Sequence, residues 1–187
     1  MFIETIRIQD GRACHLSDHT DRMRRTADHF GFTAPTLPQD LEARLPADLR
    51  TGTVRCRVLY DHTLREVTFT PYRRRQIERL FAVDAGTTDY AFKYADRAPL
   101  ARPQISLAET DELLFIRDGC LTDTSYTNLV LRRGHELVTP DTFLLDGTCR
   151  RRLLRTRRIR TDRIRLQDLA TYDELLLINA MMPLREA

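Results

Sequence analysis

Of the 30 lysine and arginine residues in this 187-residue chain, Lys93 alone is a lysine. An arginine stays protonated at any working pH, whereas a desolvated lysine amine loses its proton and can attack a carbonyl carbon. Arginine-rich codon usage also leaves few lysines, so rarity by itself decides nothing. The surroundings add weight: Tyr90, Phe92 and Tyr94 flank Lys93, a setting for a partly buried amine able to form a Schiff base. A second group is Asp123 in Gly119-Cys-Leu-Thr-Asp-Thr-Ser-Tyr-Thr-Asn128, which taken alone reads as a turn or capping residue. A third is Leu145-Asp-Gly-Thr-Cys-Arg150, where Gly147, Thr148 and Cys149 open a helical segment. Backbone N–H groups and the helix dipole make such a start a ready phosphate site. Arg22 could bring a bidentate guanidinium to the same anion, although beside Arg24 and Arg25 it also reads as a solvated helix arginine.

The elements that must position these groups follow from periodicity and turn chemistry. Met1 to Ile8 alternates as a strand, and Asp10-Gly11 is a hairpin turn into Arg12 to Leu16. Ser17 or Asp18 caps a helix running to about Phe30 and ended by Gly31, with His19, Arg22 and Met23 on one side. A short helix is expected over Gln39 to Leu45, a hairpin over Thr53 to Tyr60 and Leu64 to Tyr72, and a third strand over Ile77 to Val83. After the lysine, an amphipathic helix is expected from about Arg97 to Glu109. Hairpins then follow over Glu112 to Ile116 with Cys120 to Thr122, and over Thr127 to Arg132 with Glu136 to Val138. The segment after Gly147 reads as helix to about Arg158, Arg163 to Arg165 as a short strand, Leu166 to Ala170 as a helical turn, and Glu174 to Ile178 as a buried strand. This pattern divides into a small N-terminal α+β lobe, residues 1–90, and a larger C-terminal α/β lobe, residues 91–187.

Length and composition fit a globular protein: 42% hydrophobic and 30% charged residues, with a net charge of +3. No apolar run approaches membrane-spanning length, and Met1-Phe-Ile-Glu-Thr lacks the basic start and apolar core of a signal peptide. Cys14, Cys56, Cys120 and Cys149 are far apart with no CxxC pair, which speaks against a zinc site or disulfide framework and for free thiols in a reducing cytoplasm. The basic run at 150–160 holds Arg150, Arg151, Arg152, Arg155, Arg157, Arg158 and Arg160, a set able to contact nucleic-acid phosphates. These arginines surround a helix rather than line one face, and no aromatic residue is interleaved, so nucleic acid ranks as a minor alternative.

Six segments in order resemble the class IV aminotransferase family, the fold-type-IV pyridoxal-phosphate enzymes. Phe2-Ile-Glu-Thr-Ile-Arg7 is similar to the family's FETxR start, His19-Thr-Asp-Arg22-Met23 to its HxxRL helix, and Lys93-Tyr-Ala-Asp-Arg97 to the KxxxR cofactor-lysine segment of its lyase branch. Thr122 to Leu129 resembles T-E-x-x-x-x-N-hydrophobic, Thr139-Pro140 with Gly147-Thr-Cys-Arg150 resembles TP…GxxR, and Asn179-Ala-Met-Met-Pro183 resembles the lyase ending NALMP. The resemblance implies an α+β, two-lobed fold of the D-amino-acid aminotransferase type, shortened at both ends, and a homodimer. It implies pyridoxal 5'-phosphate as cofactor, carried covalently by Lys93, which also moves protons. Asp123 would face the pyridine nitrogen; Arg22 with Gly147, Thr148 and Cys149 would hold the phosphate; Asn179 and Ala180 would close that side. Thr5, Arg97 and Tyr126 are weaker candidates for substrate contacts, and no metal is implied. The expected substrate is a small amino compound, with lyase chemistry like that of 4-amino-4-deoxychorismate lyase ahead of transamination of branched-chain or D-amino acids. Three departures stand out: Asp123 replaces the family's Glu, the loop from Pro140 to Gly147 is two residues short, and the chain lacks the family's first strand and glycine loop.

Overall fold

The computed structural model describes residues 1–102 and 104–184, which divide into two compact units. The first comprises Met1–Arg74 with Phe92–Asp96, the second Arg75–Ala91 with Arg97–Ala187. The division therefore departs from a single cut at residue 90. The lysine segment belongs to the first unit, and the strand expected near Ile77 belongs to the second, where its hydrogen-bonding partner lies.

The first unit is a four-stranded antiparallel sheet. Its strands are β1 (Phe2–Gln9), β2 (Arg12–Ala13), β3 (Thr53–Tyr60) and β4 (Leu64–Pro71), in the order β2-β1-β3-β4, and it carries helix α1 (Leu16–Phe30). Asp10 and Gly11 both have positive φ, the geometry that a tight two-residue hairpin requires. Alternation sorts the faces. The register pairs Phe2, Glu4, Ile6 and Ile8 with Tyr60, Val58, Cys56 and Val54, and all eight are buried. That face packs against Leu41, Leu45 and α1's Met23. The opposite face carries Ile3, Thr5, Arg7 and Gln9 of β1 beside Leu59, Arg57, Arg55 and Thr53 of β3. Helix α1 begins at Leu16 with His15, left-handed, at its N-cap, rather than behind Ser17 or Asp18; Gly31 ends it as expected, in the left-handed region. Gln39 to Leu45 is a chain of turns, not a helix, since seven residues before Pro46 are too few to propagate one. Leu41 and Leu45 still reach the core from it.

The second unit holds a seven-stranded sheet. Its strands are β5 (Arg79–Asp84), β6 (Asp111–Arg117), β7 (Cys120–Thr124), β8 (Asn128–Arg133), β9 (Glu136–Pro140), β10 (Arg160–Asp162) and β11 (Glu174–Ile178). The path runs β10-β9-β8-β7-β6-β5, with β11 also pairing β8. Two apolar clusters hold it together, one around Leu114, Leu121, Leu129, Leu131, Val138 and Ile164, the other joining Val130 and Ile178 to Cys149 and Leu153 of helix α2 (Thr148–Arg155). Helix α2 is three residues shorter than expected. Arg157 takes the left-handed conformation, Arg158 N–H returns to Leu153 O (2.9 Å) and Arg157 N–H to Leu154 O (3.0 Å), a Schellman stop without glycine.

Other expectations shift. The amphipathic helix over Arg97 to Glu109 is absent among the described residues, which leave out Pro103; only Ala98–Leu100 forms a single 3₁₀ turn. Pro99 is tolerated in that first turn, but Pro103 lacks the amide that a helix running through it would need, so the amphipathic spacing there cannot be used. The late strand is Arg160–Asp162, parallel to β9, while Arg165 makes only an isolated bridge to Cys120. Strand β11 forms where expected, but Glu174 is exposed and Leu175, Leu176 and Leu177 are half-buried, which leaves Ile178 as its buried residue. No helix among the described residues is long and apolar enough to cross a membrane.

Candidate active site

Glu4 sits in the middle of the apolar face of β1 with no solvent exposure. An ionised carboxylate there needs partners, and α1 supplies two. Arg22 donates from Nε to Oε1 (2.8 Å) and from Nη2 to Oε2, and His19 Nδ1 meets Oε2 at 2.6 Å. His19 and Arg22 lie three positions apart, so one helical turn aims both at the same acid. Burial works against Glu4's charge, but the Arg22 charge and the hydrogen bonds from His19 and Arg22 outweigh it and hold the carboxyl down at about 2. Arg22 is thus a buried, rigidly oriented guanidinium and not a solvated helix arginine.

Lys93 is fixed through its backbone. Tyr94 N–H bonds to Phe92 O (2.9 Å), which makes Lys93 the centre of a γ-turn, and its own carbonyl accepts from Ile3 N–H (2.9 Å). Phe2 pairs with Tyr94 across the edge of β1, the rings 5.5 Å apart, and Phe92 stacks on His29 of α1 at 4.4 Å. Both aromatic neighbours therefore pack on the α1 side. Lys93 lies between them, half-buried, its backbone carbonyl held at the edge of β1 by Ile3.

In the second unit Asp123 and Asn128 are a cross-strand pair on β7 and β8, both buried. Asp123 Oδ1 accepts from Asn128 Nδ2 (2.7 Å), and Oδ2 accepts the backbone N–H groups of Leu144 and Leu145 (both 2.8 Å). Burial pushes this carboxyl up to about 6 despite those three bonds and the nearby Arg150 charge. Asn128 Nδ2 also donates to Leu145 O (2.8 Å). Both its partners are acceptors, which orients the amide and leaves Oδ1 facing Gly147. A Cβ on Gly147 would lie 2.1 Å from that oxygen, so only glycine can open α2 here. Thr148 and Cys149 form the first turn, where amides lack intrahelical partners. The Cys149 side chain belongs to the apolar core, which leaves its backbone as the part able to meet an anion.

Arg150 explains why Thr139-Pro140 and Gly147-Thr-Cys-Arg150 occur together. Its guanidinium is buried, donates to Pro140 O (2.9 Å), Thr139 Oγ1 (3.3 Å) and Asp146 (3.2 Å), and lies 4.4 Å over the Phe143 ring. Three of the seven arginines in the basic run thus have local partners: Arg150 inside, Arg151 on Asp146 and Arg160 on Glu136. Asn179 takes Met181 and Met182 N–H on Oδ1 (both 2.8 Å) and donates to Tyr126 O (3.2 Å). This ties the turn through Ala180 to the loop between β7 and β8, whose Ser125 carbonyl accepts from Arg97 Nη2 (2.6 Å).

The expected site residues thus fall into two groups. Asp123, Gly147, Thr148, Cys149, Asn179, Ala180, Tyr126 and Arg97 form or adjoin one hydrogen-bonded cluster in the second unit. Thr5, Arg22 and Lys93 belong to the first unit. Glu4, His19, Asn128, Thr139 and Arg150 had no role assigned from sequence. Each stands inside one of the quoted motifs, and a polar residue at an inward strand or helix position was the available signal.

The sequence profile of the amino-transferase class IV family matches residues 1–187. An uncharacterized protein of Haemophilus influenzae is 31% identical over 180 residues, 95% of this chain and 96% of its own. Among solved structures, a candidate 4-amino-4-deoxychorismate lyase from Haemophilus somnus is 34% identical, covers 98% of this chain and 97% of its own, and gives a TM-score of 0.80. A hypothetical aminotransferase of Mycobacterium tuberculosis, solved with α-ketoglutarate and pyridoxamine phosphate, shares the fold at 20% identity and a TM-score of 0.76, with 97% and 78% covered. The short length is therefore common to the first two relatives and not peculiar to this chain. With the whole sequence matched and the fold the same, this chain belongs to the class IV aminotransferases, a pyridoxal-phosphate-dependent family.

Proposed function

We propose that this protein is a pyridoxal-phosphate-dependent lyase that converts 4-amino-4-deoxychorismate to 4-aminobenzoate and pyruvate, acting as a homodimer. The observation that carries the lyase assignment is the 34% identity, across nearly the full chain, to a candidate lyase of that kind. The lyase-like ending Asn179-Ala-Met-Met-Pro183, folded back onto Tyr126, is consistent with it.

The residues fit the cofactor. Lys93 is the one side-chain amine available to carry it. Asp123 Oδ1 accepts a single protein hydrogen bond and keeps a lone pair for the pyridine nitrogen. The first turn of α2 at Thr148 and Cys149 presents backbone amides without intrahelical partners, which favour an anion such as the phosphate. When bound, pyridoxal phosphate supplies a sink for the electron pair of a broken bond at the carbon bearing the substrate amine. Lys93 Nζ takes the proton from that ring carbon. The C–O bond on the neighbouring ring carbon breaks, enolpyruvate leaves and gains a proton to become pyruvate, and the new double bond makes the ring aromatic. The buried Asp123 carboxylate would face the pyridine nitrogen and favour its protonated form.

Incubating the pure, cofactor-loaded protein with 4-amino-4-deoxychorismate tests this. Equal amounts of 4-aminobenzoate and pyruvate, formed with no keto acid added, are expected. Amine transfer that requires an added keto acid, without 4-aminobenzoate, would replace the lyase by an aminotransferase. The same residues could carry that reaction, with Lys93 moving the proton between two carbons.

A further inference from the structure

The spacing of Lys93 and Arg97 acquires a physical reason from where each end of the lysine segment is fastened. Within the first unit the segment is clipped to β1: Lys93 O accepts from Ile3 N–H (2.9 Å), and Ala95 N–H donates to Met1 O (3.1 Å). Arg97 opens the next stretch, which belongs to the second unit, and there its Nη2 donates to Ser125 O (2.6 Å). Only Asp96 separates the two fastenings. An arginine expected from sequence to touch substrate is thus bonded to backbone.

Ser125 is a firm anchor. Its N–H donates to Glu112 Oε1 (3.3 Å), a buried carboxylate paired through Oε2 with Arg75 (3.0 Å). The next peptide is gripped as well, Tyr126 N–H by Thr124 Oγ1 (3.3 Å) and Tyr126 O by Asn179 Nδ2 (3.2 Å). Side chains therefore hold every backbone polar group of Ser125 and Tyr126, and Arg97 is the one among them that comes from the stretch carrying the lysine. Two residues before Ser125 stands Asp123, fixed by Asn128 and by the Leu144 and Leu145 amides. We propose that Arg97 is a positioning residue: its bond to Ser125 ties the lysine segment to the hairpin of Asp123, so that the amine of Lys93 meets the aldehyde of a ring held at Asp123. This rests on the reading of Lys93 and Asp123 given above and deepens it. Without Arg97 the next anchored residue is Leu100, buried three positions on, so the slack after Ala95 grows from two residues to five. Effective concentration across a flexible tether falls roughly as the −3/2 power of its length, which gives a loss of about fourfold.

Stopped-flow absorbance at saturating pyridoxal phosphate reads the rate at which Lys93 Nζ joins the aldehyde carbon with loss of water. Pyridoxine 5'-phosphate, the same ring and phosphate without the aldehyde, cannot form that link, and its affinity by isothermal titration reports the rest of the site. Arg97→Met, which keeps the length of the side chain but not the donor, is expected to slow the link at least about threefold and to leave the affinity for pyridoxine phosphate unchanged. Arg97→Lys, which still donates, should regain most of the rate. A rate equal to wild type in Arg97→Met would overturn the assignment. So would an equal loss of pyridoxine phosphate affinity, the mark of a merely structural arginine. Absence of the link in wild type would instead refute Lys93 as the carrier, and this assignment with it.

Discussion

Replacing Gly147 by alanine perturbs the cluster at its tightest point. The new methyl carbon would sit 2.1 Å from Asn128 Oδ1, so the Asn128 amide must turn away. Turning breaks its bonds to Asp123 Oδ1 (2.7 Å) and Leu145 O (2.8 Å) in a buried setting. A hydrogen bond to an ionised group contributes about 1.5–3 kcal/mol and a neutral one about 0.5–1.5 kcal/mol, so Gly147→Ala should cost about 2–4 kcal/mol. At roughly 2–4 °C per kcal/mol for a chain of this size, the melting midpoint should fall by about 5–15 °C. Asn128→Ala alone loses the same two bonds. It also removes the atom that the methyl strikes, so adding Gly147→Ala to it should cost little. Thermal unfolding of the two single variants and the double gives the cycle. A midpoint for Gly147→Ala within about 1 °C of wild type, or strictly additive losses, would refute the reasoning.

Three further outcomes follow from the buried charges. Glu4's carboxyl is held at about 2 against an ordinary 4.5. Its contribution is thus fully present above pH 4.5 and lost as pH falls through 2; Glu4→Gln should remove about 3 kcal/mol at neutral pH and flatten the acid limb of stability measured by urea unfolding. Asp123 titrates at about 6 rather than 3.8, so the unfolded chain ionises first and this group's contribution declines as pH rises from 3.8 to 6. Because only the ionised form attracts a protonated pyridine, affinity for pyridoxal phosphate should weaken below pH 6, a dependence that Asp123→Asn should abolish in an absorbance titration. Arg150→Leu, which strands the buried Pro140 carbonyl while Arg151 still holds Asp146, should destabilise by about 2 kcal/mol with little change outside the second unit's amide exchange.

Much of this was legible in the sequence because local rules and tertiary demands agree there. The β1 and β3 alternation, Gly31 as a helix stop, and the Asp123–Asn128 hairpin all formed where their residues put them. The helix expected at Arg97 to Glu109 failed because amphipathic spacing was weighed above Pro103, whose missing amide overrides any pattern. The chain's division was misread for another reason: β5 pairs in parallel with β6, a partner 32 residues on, and no local signal announces a parallel neighbour. The expected site residues were named through motifs, and the partners that hold them in the fold were not anticipated. Glu4 looks like a surface acid until alternation puts it on the buried face, and Arg150 like one of a basic run until Pro140 and Thr139 surround it. Asn128 could not be linked to Gly147 from spacing alone, since the contact spans two elements brought together only by folding.

The most direct test of the central claim is the mass of the intact protein after incubation with pyridoxal phosphate and reduction with borohydride. Because the sequence holds a single lysine, only Lys93 and the chain's α-amine can form the reducible link. The account predicts one added pyridoxyl phosphate group, mapped to the peptide containing Lys93 and missing from Lys93→Arg. A protein that gains no mass, or carries the group only on its α-amine, would contradict it.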